Sequence, residues 1–409
     1  MSSHRSLLLA ARADRMRVWR YLFAGLCASL ESIGLARFAF TPLLPELIHA
    51  QWFSASSVVY LSAANLAGYV LGALIGRPIG SRFAHEHVLR FMMVLIAATF
   101  FACAFPLSVL WYFCWRFASG IAGGVVMVLV AGTILPHVPP SRRGAAGGAI
   151  FLGLGLGIAG SGTVIPLLLE WGLAQTWGGL GIISLVLTAA SWFAWPPSRS
   201  SPVSERHGAK GGHAARFGSE VRLVYLQYAL MAAAAVPPMV FLVDFIARGL
   251  GHGTHLGSVF WAIYGLGAIA GPPLYGYLAD RLGPEPTVRM VSLLMAIVFA
   301  GFYSVDDLIV LGVLTAVIGT FALGMVPLVL ARVHEVIAHD PVRQNIAWTR
   351  ASIISAAGLA AAAYGFSGLF NATAGNHRML FLVAAAMLVA VLLIAQSVIL
   401  AATRTTDSA

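Results

Sequence analysis

The chain has 409 residues, 59% of them hydrophobic and 10% charged, with a formal net charge of +10 and a mean hydropathy of +0.86. An ordinary soluble domain carries about 25% charged residues, and here the apolar residues fall into long runs, so the composition excludes a soluble enzyme and points to a membrane protein. The basic surplus forms no face interleaved with exposed aromatics, so no nucleic-acid partner is expected.

Residues 1–19 are basic and polar, and their one apolar patch, Leu7 to Ala11, is too short for the core of a cleaved signal. They read as a cytoplasmic tail. Twelve apolar runs follow, at 20–42, 56–77, 88–109, 111–135, 144–168, 178–196, 221–246, 257–279, 286–304, 307–331, 345–370 and 378–402. Each is long enough for a helix that crosses roughly 30 Å of hydrocarbon, and none shows the alternating ten-residue pattern of a membrane β-barrel. The expected fold is therefore all-α and polytopic: twelve transmembrane helices in two six-helix halves, 20–196 and 221–402. A Pro, Ser, Gly and Arg-rich cytoplasmic linker at 197–220 separates them, and residues 403–409 form a second cytoplasmic tail.

In chain order, the first run carries Glu31 and Arg37 and ends on Pro42 and Pro45. At 1.5 Å per residue Glu31 lies about 16 Å in, near mid-depth, and Arg37 about 25 Å in. The prolines are expected to break the helix at the outer rim. Charged groups inside a bilayer face the bundle interior or a water-filled cavity, which marks Arg37 as a cavity residue unless it snorkels to the outer headgroups. Glu31 is the one carboxylate near mid-depth. It is the candidate proton-coupling residue, and its plainer role is as partner to an arginine. Asn65 in the second run can hydrogen-bond a substrate at mid-depth. Arg116 in the fourth run can hold an anionic group or pair with a neighbouring helix. The fifth run contains GLGIAG (155–160), which matches a nucleotide-binding pattern, but no strand precedes it. Its glycines serve close helix packing, and no cofactor is expected. Asp244 ends the seventh run at the outer surface, where it can pair with Arg37 as an outer gate. Arg350 in the eleventh run either snorkels inward or binds substrate. Cys27, Cys103 and Cys114 show neither a disulfide framework nor a metal spacing, and the histidines lie in loops and at helix ends, so no metal site is expected.

With an even number of helices and the first tail inside, twenty of the 25 Lys and Arg residues fall in cytoplasmic segments, two on the opposite side and three within helices. This is a strong positive-inside bias, and it predicts a multi-pass membrane protein with both termini in the cytoplasm.

Sliding one half over the other reveals an internal repeat at an offset of 199 residues. It matches Gly68 with Gly267, Gly72 with Gly271, Arg82 with Arg281, Glu86 with Glu285, Arg90 with Arg289 and Gly120 with Gly319. Parallel halves related by an axis along the membrane normal are a secondary-transporter plan, with substrate bound between them. The segment GYLADRLG (276–283) resembles the G-x-x-x-D-R-x-G signature of the major facilitator superfamily, and RFASGIAGG (116–124) resembles its R-x-x-x-G pattern. ARFAFTPLLPEL (36–47) and GLGLGIAGSGTVIP (153–166) are similar to the YbfB/YjiJ-type branch, a group of bacterial inner-membrane transporters. The resemblance implies the major facilitator fold and gives Arg82, Asp280 and Arg281 an inner-gate role, tying the halves together when the cavity faces out.

Two transport readings follow, both by alternating access in a lipid bilayer with a small-molecule substrate and protons, and both for a monomer. The first is proton-coupled export of a small, partly apolar organic compound. The second is proton-coupled uptake of an organic anion, which the surplus of intramembrane arginines (Arg37, Arg116, Arg350) over Glu31 would favour. A non-transporting receptor is a third reading. Phosphate-loop motifs are absent from the sequence, so the chain itself is not expected to use ATP.

Overall fold

A computed structural model describes residues 2–139, 142–197, 217–338 and 340–406. Where water is absent every backbone N–H and C=O must be satisfied within the protein, which leaves helices as the solution for apolar runs of this length. The helices are α1 (Ser2–Ser29), α2 (Phe40–His49), α3 (Ala55–Gly80), α4 (His85–Cys103), α5 (Val109–Ile134), α6 (Arg143–Leu169) and α7 (Leu173–Ser191). The second half contains α8 (Ser219–Ala234), α9 (Val236–Asp244), α10 (Gly253–Leu282), α11 (Pro284–Ser304), α12 (Leu308–Val336), α13 (Pro341–Ala372) and α14 (His377–Thr406). α1 with α2, and α8 with α9, each make one interrupted crossing, so the fourteen segments form twelve crossings. Eleven of these are strongly apolar along their length, and the twelfth is α10, whose 30 residues include two prolines and the Asp280–Arg281 pair.

Short polar residues start the helices where the run lengths predict. Ser54, Ser108, Asp307 and Asp340 accept the exposed N–H groups of α3, α5, α12 and α13. Two ends differ from the sequence reading. The helix of the first crossing begins at Ser2, inside the stretch read as a tail. The sixth helix starts earlier and stops at Ser191, leaving Trp192, Phe193 and Trp195 after it; such aromatics raise hydropathy yet settle at the interface. The linker read at 197–220 lies mostly outside the described residues, and of the segment 403–409 only the helical part up to Thr406 is described.

The 199-residue repeat is visible as packing. A Cβ on Gly72 would sit 2.1 Å from the Ile121 carbonyl oxygen, and one on Gly271 would sit 2.1 Å from that of Thr320, the residue 199 positions further on. Gly120 and Gly319 face the carbonyls of Asn65 and Tyr264 in the same paired way. Helix backbones thus touch directly, α3 on α5 and α10 on α12, as small residues permit in membranes. Between the halves, α3 packs on α13, α6 on α10 and α2 on α9. In α6, Gly153 and Gly157 meet the first crossing while Gly155 meets Ile269 of α10, so the nucleotide-like glycines are helix contacts. The loops richest in arginine lie at one end of the bundle, called here the basic end. The α2–α9 contact is at the far end, whereas among the described residues α1 and α8, which lead to the basic end, make no extensive packing on each other.

Candidate functional site

The first crossing is interrupted at mid-depth. α1 runs into a π-helical segment, Leu30–Leu35, in which the Ala36 N–H reaches back to the Glu31 carbonyl at 3.0 Å. Residues 36–39 then turn before α2 begins. The prolines contribute but do not mark the break, which lies before them. Pro42 sits in the first turn of α2, where its missing N–H is tolerated, and the Phe38 carbonyl takes the Thr41 N–H at 3.3 Å instead. The seventh crossing breaks at Ala235, which lies 199 residues after Ala36 and just before Pro237 and Pro238.

The two breaks meet over a small cavity of about 20 Å³, lined by Arg37, Phe38, Phe40, Thr41, Ser62, Leu66 and Arg116 of the first half and by Met239 and Val240 of the second. That volume admits little more than a water molecule, so in this conformation the far end is closed. The Thr41 hydroxyl donates to the Met239 carbonyl at 2.6 Å, joining α2 to α9 across the top. A buried neutral hydrogen bond contributes about 0.5–1.5 kcal/mol. Thr41→Val is therefore expected to raise the open fraction at the far end by roughly 2- to 13-fold, since 1.4 kcal/mol is tenfold. Labelling of a single cysteine at the far end measures this, and an unchanged rate would show that the bond does not hold the closure.

Both cavity arginines are short of partners. Arg116 is 3% exposed. Its Nη1 donates to the Ala36 carbonyl at 2.6 Å and its guanidinium lies 4.3 Å from the Phe40 ring centre, while its Nε is buried without a partner. Arg37 lies between the rings of Phe38 and Tyr69, at 5.4 and 5.6 Å, and its Nε and Nη2 are both buried without partners. The hydroxyls of Ser62, on the cavity wall, and of Tyr264 are likewise unpaired. Phe38 continues into Trp261, which stacks on Tyr264 at 5.0 Å. Among the described residues no carboxylate lines the cavity. Donors of fixed charge, desolvated and left without acceptors, are costly, and a ligand that supplies oxygen acceptors and negative charge would remove that cost.

The remaining sequence candidates divide. Asn65 is 2% exposed and donates its amide to Ser119 Oγ at 2.8 Å and to the Arg116 carbonyl at 3.3 Å, so it holds α3 to α5 behind Arg116 and does not face the cavity. Glu31 is 0% exposed and turns toward α7, accepting from Ser184 Oγ at 2.5 Å and Thr188 Oγ1 at 3.1 Å. It makes no ion pair with Arg37 or Arg116. Asp244, read at the surface, is fully buried. The chain continues past it as a second π-helical segment, Phe245–Gly249, which draws it inward. Its carboxylate binds Arg248, and His377 Nε2 at 2.6 Å, so the expected Arg37–Asp244 outer gate is not formed. The closure there is made by Thr41 and Met239. Arg350 lies over Phe217 at 5.1 Å toward the basic end, away from the other two arginines. Arg82, Asp280 and Arg281 are exposed at the basic end. Arg281 stacks over Tyr277, and among the described residues none of the three makes an ion pair to the other half. Thr41, Ser62, Tyr69, Ser184, Thr188 and His377 were not singled out by the sequence reading; single hydroxyls in an apolar run leave no periodic trace.

Residues 29–396 match the family described as "Uncharacterised MFS-type transporter YbfB". The chain is 23% identical over 195 residues to the inner membrane metabolite transport protein YdjE of Escherichia coli K12, a match that covers 46% of this chain and 43% of that protein. It is 22% identical over 343 residues to the 4-hydroxybenzoate transporter PcaK of Pseudomonas putida, covering 74% of this chain and 75% of that protein. Its fold matches the crystal structure of a D-xylose–proton symporter with a TM-score of 0.70 at 17% identity, over 91% of this chain and 96% of that one.

Proposed function

The chain belongs to the YbfB-type family of major facilitator transporters, a multi-pass membrane protein and not an enzyme, and on that premise we propose that it carries small organic anions by alternating access, coupled to protons. The observation that carries this reading is the pair of arginines, Arg37 and Arg116, that line the cavity and keep buried N–H groups unpaired, with no carboxylate among the described lining residues. Arg37 and Arg116 would bind the anionic group, with Ser62 as a further donor. Phe38, Phe40 and Tyr69 would face its apolar part, and Asn65 would position Arg116 from behind. Of the two transport readings of the sequence, this arrangement favours the one with an anionic cargo. A neutral or cationic cargo would leave two buried positive charges uncompensated whenever the cavity is closed.

The relatives support the same reading at a distance. PcaK is named for a carboxylate substrate, and the structural neighbour is named as a proton symporter. YdjE is named as an inner-membrane protein, in line with an inner-membrane placement, and the arginine bias supports cytoplasmic termini. Arg82, Asp280 and Arg281 stand where they could close the basic end in the opposite state, and their exposure here fits a basic end that is open.

A thermal-shift series on the detergent-solubilised protein tests the proposal. Benzoate, 4-hydroxybenzoate, acetate, the neutral benzamide and a lipophilic cation are compared at matched concentrations. An anion at 100 times its Kd should add about 2.7 kcal/mol of stability, with no stabilisation by benzamide. Stabilisation by the lipophilic cation alone would overturn the anion reading.

A further inference from the structure

Glu31 lies outside the cavity yet on the same stretch of helix. Its side chain is sealed from solvent and held by two hydroxyls of α7. Thr188 has one hydroxyl hydrogen and two acceptor groups in reach, the Glu31 carboxylate (Oε2 at 3.1 Å, Oε1 at 3.4 Å) and the Ser184 carbonyl at 2.9 Å. With a carboxylate at Glu31, that hydrogen is wanted in two places. With a carboxylic acid, Glu31 becomes a donor, Thr188 accepts from it and turns its own hydrogen to the Ser184 carbonyl. The pocket can thus serve both protonation states by rotating hydroxyls.

The charged and titratable groups around Glu31 are few. α7 has no ionisable residue, and α6 has only Arg143, its first residue, at the basic end. α4 carries His85, Glu86, His87 and Arg90 at the basic end and Cys103 at the other. From α5, Tyr112 donates to the Cys103 carbonyl, Cys114 is exposed, and Arg116 is turned to Ala36. On its own crossing, Cys27 lies one turn earlier, and Arg37 follows six residues on, set against the rings of Phe38 and Tyr69.

A short chain of bonds leads from this pocket to the cavity. The Glu31 carbonyl accepts the Ala36 N–H at 3.0 Å, and the Ala36 carbonyl accepts Arg116 Nη1 at 2.6 Å. We propose that Glu31 is a proton site separate from the anion site, and that the two communicate through the π-helical turn that ends at Ala36. A shift of the Glu31 backbone when its side-chain partners rearrange would move the Ala36 carbonyl and so re-aim the Arg116 guanidinium. Occupancy of one site then changes affinity at the other, and the effect is reciprocal. The communication with substrate rests on the anion reading, whereas the proton site itself does not.

The test has two arms. In the first, without ligand, Tyr277→Cys at the basic end is labelled with a maleimide from pH 5.5 to 8.5, in full-length protein whose native cysteines are replaced by serine. Divided at each pH by the rate of the same cysteine in unfolded protein, so that ionisation of the thiol cancels, the labelling rate should change with pH, become flat in Glu31→Gln, and keep its dependence with a moved midpoint in Glu31→Asp. Thr188→Val, which retains the carboxyl, should also move the midpoint, and it decides the matter should Glu31→Gln fail to fold. A pH-independent rate in the parent, a preserved dependence in Glu31→Gln or an unmoved midpoint in Thr188→Val would overturn the proton site. In the second arm, calorimetric binding of 4-hydroxybenzoate is measured over pH 6–8, where the probe stays anionic. One linked proton predicts up to about a tenfold change in Kd per pH unit, absent in Glu31→Gln. Binding with no pH dependence would overturn the communication and leave the anion reading standing. No binding by any anion, together with pH-dependent labelling, would overturn the anion reading and leave Glu31 standing.

Discussion

Arg116→Ala is expected to remove organic-anion binding almost entirely while leaving a folded protein. Truncating one partner of a buried charged pair costs about 2–5 kcal/mol, which corresponds to roughly 30- to several-thousand-fold in Kd. The upper part of that range is expected, because Arg116 does two things. It lines the cavity and keeps a buried, unpaired Nε, and through Nη1 it holds the Ala36 carbonyl at the break of the first crossing. Arg116→Lys separates the two roles. A lysine is a point charge without the planar fork of arginine, so it can reach the ligand or the carbonyl but not both, and an intermediate loss of affinity is expected. Calorimetry with 4-hydroxybenzoate and uptake into proteoliposomes measure both variants. Wild-type affinity in Arg116→Ala would remove this residue from the site.

Gly72→Val and Gly271→Val are expected to prevent recovery of monodisperse protein. At either position a Cβ would lie 2.1 Å from a backbone carbonyl oxygen, against an ordinary contact of 3.4 Å or more, so the helices would have to part by about 1.3 Å (3.4 minus 2.1). Overpacking of a closely fitted interior costs about 1–3 kcal/mol and occasionally more, and here no flexible side chain can give way. Gly312→Ala is the control. Its Cβ would meet nothing within 4 Å, and alanine in place of glycine stabilises a helix interior by roughly 0.5–1 kcal/mol. If Gly72→Val melted at the same temperature as Gly312→Ala, the backbone contact would not be holding α3 to α5.

The positions of the crossings were legible in the sequence because apolar run length is set by bilayer thickness. The repeat was legible because glycines required for backbone contact cannot drift. Arg37 and Arg116 were legible as cavity residues because charge inside a membrane must face inward. What failed was direction. Glu31 reads from the sequence as a proton-coupling residue or an arginine's partner, but the π-helical segment Leu30–Leu35 changes the helical phase, and Glu31 faces α7. Asp244 was placed at the surface because its run ended there, although the helix winds on through Gly249 and buries it against His377. Arg350 looked equivalent to the other arginines by composition alone, and its aromatic neighbour, Phe217, lies more than a hundred residues away in sequence. A partner that distant leaves no local pattern to read.

The cavity is unevenly shared: seven of its nine lining residues come from the first half. At the 199-residue offset, Glu31 corresponds to Leu230, Arg37 to Val236, Thr41 to Val240 and Arg116 to Thr315. On the proposed anion reading, the two copies of one ancestral hairpin architecture have diverged into a cargo-holding half and a half that serves mainly as its moving counterpart. Cargo choice can then evolve in the first copy without retuning the second, whose glycine contacts preserve the rocking surface. A chimera that joins the first half of this chain to the second half of a relative should inherit the cargo of the first, which makes selectivity a portable property of residues 20–196.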